Sequence, residues 1–371
     1  RGTVSCPDMG ALSAKMDNLY DASIDYTVRK KGENQCVGFV ASFIDDRYAP
    51  DGERLLEPAA ALLGELICDP VTYHGRFVPE YFESEKTNLL EAIRSLINDK
   101  RDWADSRLLR ALCDGEAYAV PRLGDEETVD KLQALKVYTQ YRDLISTAPL
   151  EIIYSGSADL ERVKQALAAA FATLPREEVR VISTAAPHVC RESVQHVEDV
   201  LDVAQGKLGM GFSCGSDDMP ALLMGNTLFG GSSNSKLFLN VREKLSLCYY
   251  ASSLYHRQKG LITVSSGIEF QNYQRAYDEI MAQLEAVQKG ELEDWELEGA
   301  RSTLLNSYAT VGDSQGKLEN FYLGQAATGQ HETPADLARA IQDMTAERIC
   351  RAMSTVELDT VYFLKGKEAE A

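Results

Sequence analysis

The chain has 371 residues, of which 44% are hydrophobic and 26% charged, a composition typical of a globular protein and not of a fibrous or disordered one. At roughly 150 residues per domain, this length favours two domains. The formal net charge of −19 would repel phosphate backbones and anionic lipid headgroups, and no apolar run reaches the length of about 18 residues that spans a bilayer, so we expect neither a nucleic-acid nor a membrane partner.

The first half begins with a predicted β-hairpin and continues with helices. Two stretches rich in β-branched and aromatic residues, 23–30 and 35–44, flank the turn residues 31–34. Apolar residues that recur every three or four positions then predict helices, and a final apolar stretch predicts a strand before the last helix. The predicted helices cover residues 52–67, 78–112, 126–145 and 160–171, and the strand covers 150–155.

The second half repeats this order of elements. Its predicted strands cover residues 192–200, 203–212, 248–255, 261–268 and 360–364. Its predicted helices cover residues 221–229, 236–244, 273–287 and 293–308. Short residue matches occur in the same order in both halves, such as Lys86-Thr-Asn-Leu-Leu90 with Arg301-Ser-Thr-Leu-Leu305, and they favour an internal duplication.

Strands followed by blocks of helices indicate the α+β class. We therefore predict two homologous halves, each a largely antiparallel sheet covered on one face by helices. The predicted domains span residues 1–178 and 188–371, and a charged, proline-flanked linker covers 179–187.

Eight cysteines are scattered along the chain without a CxxC pair, which is typical of reduced thiols and favours a cytoplasmic protein. The sequence starts with Arg1-Gly-Thr3, which is unlike a natural N-terminus. We expect a further segment upstream of Arg1.

The most specific motif lies in the second half and consists of Phe229-Gly-Gly-Ser-Ser-Asn-Ser235, Arg242-Glu243 and Tyr249. With weaker matches in the first half, among them Glu85-Lys86 and Leu89-Leu90, the motif resembles the pitrilysin (insulinase) and mitochondrial processing peptidase family of inverzincin zinc peptidases. The resemblance covers nearly the whole chain. It implies the same two-half fold that the element order predicts.

Active members of this family bind zinc through HxxEH on a helix and a further Glu on a later helix. In the family HxxEH precedes a basic-Gly-Thr triplet, so here the motif would lie upstream of Arg1. The resemblance places the further ligand seven residues after Glu85, where this chain has Ala92. Glu91 is adjacent, but one step along a helix turns the side chain by about 100°, toward the predicted solvent side.

The five histidines do not pair at helical ligand spacing and offer no replacement site. We therefore predict no catalytic residue and no metal ligand in this chain, and no cofactor. The resemblance implies zinc only in an active homologous partner.

The same resemblance assigns substrate contacts to the second half. Arg242 and Tyr249 would hold a peptide backbone and stabilise an oxyanion, and the turn formed by Gly230, Gly231, Ser232 and Ser233 would contact peptide or partner. Structural alternatives remain open for each of them. Arg242 could form an ion pair within its helix, Tyr249 could simply begin a strand, and the turn could be a helix start capped by Asn234 or Ser235.

Three functions follow from these observations. The favoured one is an inactive, non-catalytic homologue of a metallopeptidase that binds peptide or a zinc-bearing homologous subunit. A second copy of the chain, in a dimer, could take the place of that subunit. The second is an active zinc endopeptidase with HxxEH upstream of Arg1 and Glu91 as ligand. The third is a structural scaffold subunit.

Overall fold

The computed structural model of the chain describes residues 1–181 and 187–367, which divide into two compact units. The first unit contains Arg1–Lys30, Gln35–Arg94 and residues 122–181. The second contains Lys31–Asn34, Ser95–Pro121 and residues 187–367. The predicted boundary remains a prediction, and residues 182–186 of the predicted linker lie outside the described residues. Residues 95–121, which belong to the predicted first half, pack with the second unit.

The N-terminal half is mainly helical. Its strands form two separate two-stranded sheets, β1 with β2 and β3 with β4. In chain order its elements are α1 (Met9–Asp17), β1 (Ser23–Lys31), β2 (Asn34–Ser42), α2 (Leu56–Cys68), β3 (Thr72–Tyr73), β4 (Arg76–Phe77), α3 (Pro79–Ser95), α4 (Lys100–Leu112), α5 (Glu126–Asp130), α6 (Ala134–Thr147) and α7 (Leu160–Ala170).

Several local predictions for this half need correction. The single helix predicted over 78–112 is divided into α3 and α4, because Asp99 takes an extended conformation and its carboxylate accepts the N–H groups of Arg101 and Asp102 at 2.9 and 3.0 Å. The helix predicted over 126–145 is likewise divided, into α5 and α6. Residues 150–155 form no strand, and α1 and the hairpin of β3 and β4 were not predicted.

The second unit is built on a five-stranded sheet. Its strand order is β5 (Gln195–Leu201), β9 (Val356–Gly366), β6 (Gly206–Cys214), β8 (Leu261–Ile268) and β7 (Cys248–His256). Only β5 and β9 are parallel, and the other neighbours are antiparallel. The remaining elements are α8 (Met219–Asn226), two π-helical segments (Thr227–Gly231 and Leu237–Lys244), α9 (Tyr273–Lys289), α10 (Asp294–Ala309), α11 (Gln315–Thr328), α12 (Pro334–Gln342) and α13 (Ala346–Met353).

The two faces of this sheet are covered differently, as the alternation of side chains along β6 shows. Leu208, Met210 and Phe212 lie in the main core, which helices α8, α9, α10, α12 and α13 help to form. Gly209 and Gly211, which alternate with these residues along β6, face α4. A Cβ atom at Gly211 would lie 2.7 Å from Leu112 Cδ2. Glycine therefore lets α4 approach the sheet closely.

The α+β class is confirmed, and most elements predicted in the second half are present. The hairpin predicted over 248–255 and 261–268 corresponds to β7 and β8 almost residue for residue. Helices α11, α12 and α13 were not predicted. No helix within residues 1–181 and 187–367 combines the length and hydropathy that crossing a membrane requires.

Candidate functional site

The glycine-serine turn of the motif joins the two π-helical segments and packs against β7. Gly230 is buried, and a Cβ atom there would lie 2.7 Å from the backbone nitrogen of Ser253 on β7. A side chain at this position would push the turn away from the strand. Gly231 is exposed, and a Cβ atom there would lie 2.9 Å from the side-chain nitrogen of Asn226. Close packing therefore explains both glycines.

The serines that follow have different surroundings. The Ser232 hydroxyl donates to the Thr227 carbonyl at 3.3 Å, and Ser233 is exposed. The buried hydroxyl of Ser235 accepts the Phe238 N–H at 3.4 Å, as an N-cap residue does. The turn is thus also a capped helix start, the structural alternative named above, with Ser235 as the capping residue.

A buried ion pair fixes the turn to helix α10. The ammonium group of Lys236 contacts both carboxylate oxygens of Glu296, at 3.0 and 3.1 Å. The two side chains are only 10% and 7% exposed. Glu296 also accepts the Glu293 N–H at 2.9 Å in a reciprocal cap of α10. Both members of the pair are therefore well satisfied.

Arg242 lies near the end of the second π-helical segment, and its side chain is 41% exposed. Its guanidinium lies 4.7 Å from the centre of the Phe238 ring, and its Nε is 3.6 Å from Glu243 Oε1. Both contacts are within its own segment, so the predicted intrahelical ion pair is present. Because the contact with Glu243 is long and exposed, the guanidinium can still bind an external carbonyl or carboxylate.

Tyr249 lies on β7, where the pairing with β8 shifts register, and it is 61% exposed. Its hydroxyl donates to Glu269 Oε1 at 2.7 Å, and this hydrogen bond raises the pKa of Tyr249. The tyrosine is therefore a neutral donor near pH 7. To bind a substrate oxygen, the hydroxyl would exchange its bond to Glu269 for one to the substrate.

A tight turn connects these two residues. The Ser246 N–H donates to the Arg242 carbonyl at 3.1 Å, and the Leu247 N–H donates to the Val241 carbonyl at 3.0 Å. Ser246 has a φ of 50°, in the left-handed region that residues other than glycine rarely adopt. The positive charge of Arg242 also acts on the neighbouring Cys248 thiol, partly offsetting the burial that raises its pKa.

The structure thus places Tyr249 on β7, Gly230 against that strand and Arg242 shortly before it. The glycine-serine turn packs beside Ser253, Tyr249 lies near the start of the strand, and Arg242 is joined to that start by the tight turn. Glu269 and Glu296, which hold Tyr249 and the turn in place, were not predicted. For Glu296 the only local signal is the capping pattern with Glu293 at the start of a helical stretch.

Neither Ala92 nor Glu91 has the surroundings of a metal ligand. Both are exposed on α3, and neither belongs to a group of three converging His, Cys, Asp or Glu side chains within the described part of the chain. The methyl group of Ala92 has no lone pair to offer a metal. Ala92 therefore does not fit the position of a zinc ligand, and we derive no chemical step from zinc in this chain.

The one such group among residues 1–181 and 187–367 lies in the second unit and consists of Cys113, Glu116 and His188. Its polar atoms already have protein partners. His188 contacts Glu116 at 2.5 Å through Nδ1 and Asp359 at 3.2 Å through Nε2, and the Lys259 ammonium also binds Glu116. Although burial opposes ionisation, the hydrogen bonds from Lys259 and His188 keep the pKa of Glu116 below its usual value. This arrangement is a buried ion network.

Comparison with known proteins identifies the family. The family model described as Peptidase M16 inactive domain matches residues 131–304. A protein of Bacillus subtilis named probable inactive metalloprotease YmfF is 35% identical over 375 residues, which cover 99% of this chain and 87% of the relative. The chain belongs to the M16 peptidase family. This is the pitrilysin-type family indicated by the Phe229–Ser235 motif, and both the matching model and the relative's name describe inactive members.

More distant relatives of this M16 protein are named zinc proteases. An uncharacterized zinc protease of B. subtilis, YmxG, is 22% identical over 325 residues, covering 84% of this chain and 76% of the relative. Among solved structures, a conserved protein of Enterococcus faecalis V583 is 26% identical with a TM-score of 0.85, covering 99% and 87% of the two chains. A Pseudomonas fluorescens M16 inactive domain shares the fold at 17% identity, with a TM-score of 0.76 and coverage of 99% and 86%.

Proposed function

We propose that this M16 protein is catalytically silent and supplies a peptide-binding surface to a zinc-bearing homologous subunit. The observation that carries the proposal is Ala92, an exposed residue with no ligand atom at the position where the family resemblance expects a glutamate ligand. A zinc site that lacks this carboxylate would lose one of its protein ligands. The description of the matching family model as an inactive domain agrees with this proposal.

The peptide-handling role is supported by the chemistry of Arg242 and Tyr249. Both are accessible, Arg242 is a cation whose ion pair with Glu243 is long, and Tyr249 is a neutral hydroxyl donor. Such groups can bind the carbonyl oxygens of an extended peptide and, in a complete chamber, stabilise developing negative charge. Their packing along β7 would hold them in place before a peptide arrives. The scattered cysteines, all free in this structure, favour a cytoplasmic setting for the proposed complex.

The decisive measurement is the zinc content and peptidase activity of the chain with its natural upstream sequence. We expect no hydrolysis by this chain alone, and hydrolysis when a zinc-bearing M16 homologue from the same cell is added. Stoichiometric zinc together with peptide hydrolysis by the single chain would overturn the proposal. In that case Glu91→Gln should abolish metal binding, as the active-enzyme hypothesis requires.

A second experiment separates a peptide-binding subunit from a scaffold. In the reconstituted pair, Arg242→Ala and Tyr249→Phe should each lower kcat/KM, by about 10²-fold for a lost oxyanion donor. Lys244→Ala is the matched control, because Lys244 is a nearby cation at the end of the same π-helical segment and lies outside the motif. Unchanged kcat/KM in both test variants would assign these residues to packing alone and favour the scaffold function.

A further inference from the structure

A groove of the same unit lies between helix α9 and the first residues of β9, and none of the motif residues lines it. Its volume is about 530 Å³. The groove is lined by one stripe of α9 and by the start of the strand. The residues that argue for a ligand are the apolar side chains Met281, Leu284 and Leu358 and the carboxylates Asp278, Glu285 and Glu357.

The strand that lines this groove has an uncovered edge. The pairing of β5 with β9 begins at Gln195 opposite Thr360, so Val356–Leu358 extend beyond the end of β5. On the other side these residues pair with β6, from Cys214 to Phe212. Within the described residues no strand occupies the outer side of Val356–Leu358.

Two hydrogen bonds show which backbone groups point outward. The Thr355 carbonyl accepts the N–H of Gly215, the residue after β6, at 3.2 Å. The Val356 carbonyl instead accepts the Gln288 amide of α9 at 2.9 Å. Because successive backbone groups of a strand point to opposite edges, the N–H and C=O of Leu358 point outward into the groove. Such groups pair readily with an added strand.

The charged residues around the groove indicate which side chains an added strand would carry. Its lining contains three carboxylates and no basic residue. Glu285 pairs with Lys289, and Asp278 accepts the Gln274 amide at 2.8 Å. No ion pair to Glu357 is present within the described residues. A peptide with lysine or arginine beside apolar side chains would complement both the carboxylates and the apolar residues of the lining.

We propose that this groove binds an extended peptide segment with alternating apolar and basic side chains, added as a short strand beside Val356–Leu358. The backbone of Leu358 would supply the strand hydrogen bonds. Met281 and Leu284 would contact the apolar side chains, and Asp278 and Glu357 the basic ones. The site involves neither Arg242 nor Tyr249, so it is independent of the function proposed above.

The test uses the full chain and a fluorescent pentapeptide that alternates valine with lysine or arginine, with binding measured by fluorescence anisotropy. Asp278→Asn with Glu357→Gln should weaken binding roughly fivefold, since exposed ion pairs contribute about 0.5 kcal/mol each, or about 1 kcal/mol for the two. Ala282→Arg, which places a cation in the lining, should weaken it further. Asp313→Asn removes an exposed carboxylate elsewhere in the unit and should leave binding unchanged.

A second peptide separates strand addition from charge attraction. The same sequence with every backbone nitrogen methylated keeps its charges but cannot donate strand hydrogen bonds, and it should not bind. The proposal is overturned if the parent peptide does not bind at about 1 mM, if the methylated or a glutamate-containing peptide binds equally well, or if the groove variants bind like the wild type.

Discussion

The ion pair between Lys236 and Glu296 gives the sharpest test of how the glycine-serine turn is held. In Lys236→Met the apolar part of the side chain is retained, while Glu296 loses an ammonium group that contacts both of its oxygens. The carboxylate remains in a buried position with one further hydrogen bond, from the Glu293 N–H. An unpaired carboxylate in such surroundings is strongly unfavourable.

Removing one partner of a buried ion pair costs roughly 3–5 kcal/mol. Because the bond from Glu293 remains, we expect the lower end, a loss of about 3 kcal/mol in the free energy of unfolding. A unit of about 200 residues loses about 2–4 °C in Tm per kcal/mol, so the transition of the second unit should fall by about 6–12 °C. Differential scanning calorimetry measures this shift directly.

Two further variants make the result interpretable. Adding Glu296→Gln to Lys236→Met removes the buried charge but keeps an acceptor for the Glu293 N–H, so it should recover about half of the lost Tm. Lys289→Met breaks the exposed pair with Glu285 and should leave Tm unchanged. The reasoning is wrong if Lys236→Met melts within about 2 °C of the wild type, or if Glu296→Gln brings no recovery.

Three other predictions concern the second unit. Burial lowers the pKa of His256 to about 4. As pH drops from about 6.5 to 4, this histidine takes up a proton in the unfolded chain but not in the folded one. The free energy of unfolding should therefore fall over this range, by up to about 3 kcal/mol. The prediction is refuted if the urea midpoints of His256→Gln and of the wild type change with pH in the same way. Gly230→Ala should lower Tm, whereas Gly312→Ala, with open space at Cβ, should not. Gly211→Val should lower the free energy of unfolding by about 1–3 kcal/mol in urea titrations, and Leu112→Ala in the same chain should restore part of this loss. If the effects of the two substitutions simply add, the close packing of these residues is contradicted.

The sequence by itself determined those features that depend on neighbouring residues. Alternating side chains placed β7 and β8, three-and-four spacing placed α9 and α10, and the Phe229–Ser235 motif indicated the family. The break between α3 and α4 could also be predicted from the local sequence, because the Asp99 carboxylate caps the N–H groups two and three residues ahead. Such signals are local, since caps and periodic faces form within one or two turns of the chain.

Only the tertiary structure decided which distant residues meet. Nothing near Lys236 in sequence marks Glu296, 60 residues away, as its partner, and α4 packs on a sheet made of strands 80 or more residues further along the chain. The stretch 150–155 has the residues of a strand, but among the residues that the structure describes no strand pairs with it. A strand needs backbone hydrogen bonds to a neighbour, and a buried charge needs an opposite charge. The residues that supply this neighbouring strand or this opposite charge are fixed by how the chain closes and packs over the whole unit. The local sequence pattern does not encode that packing.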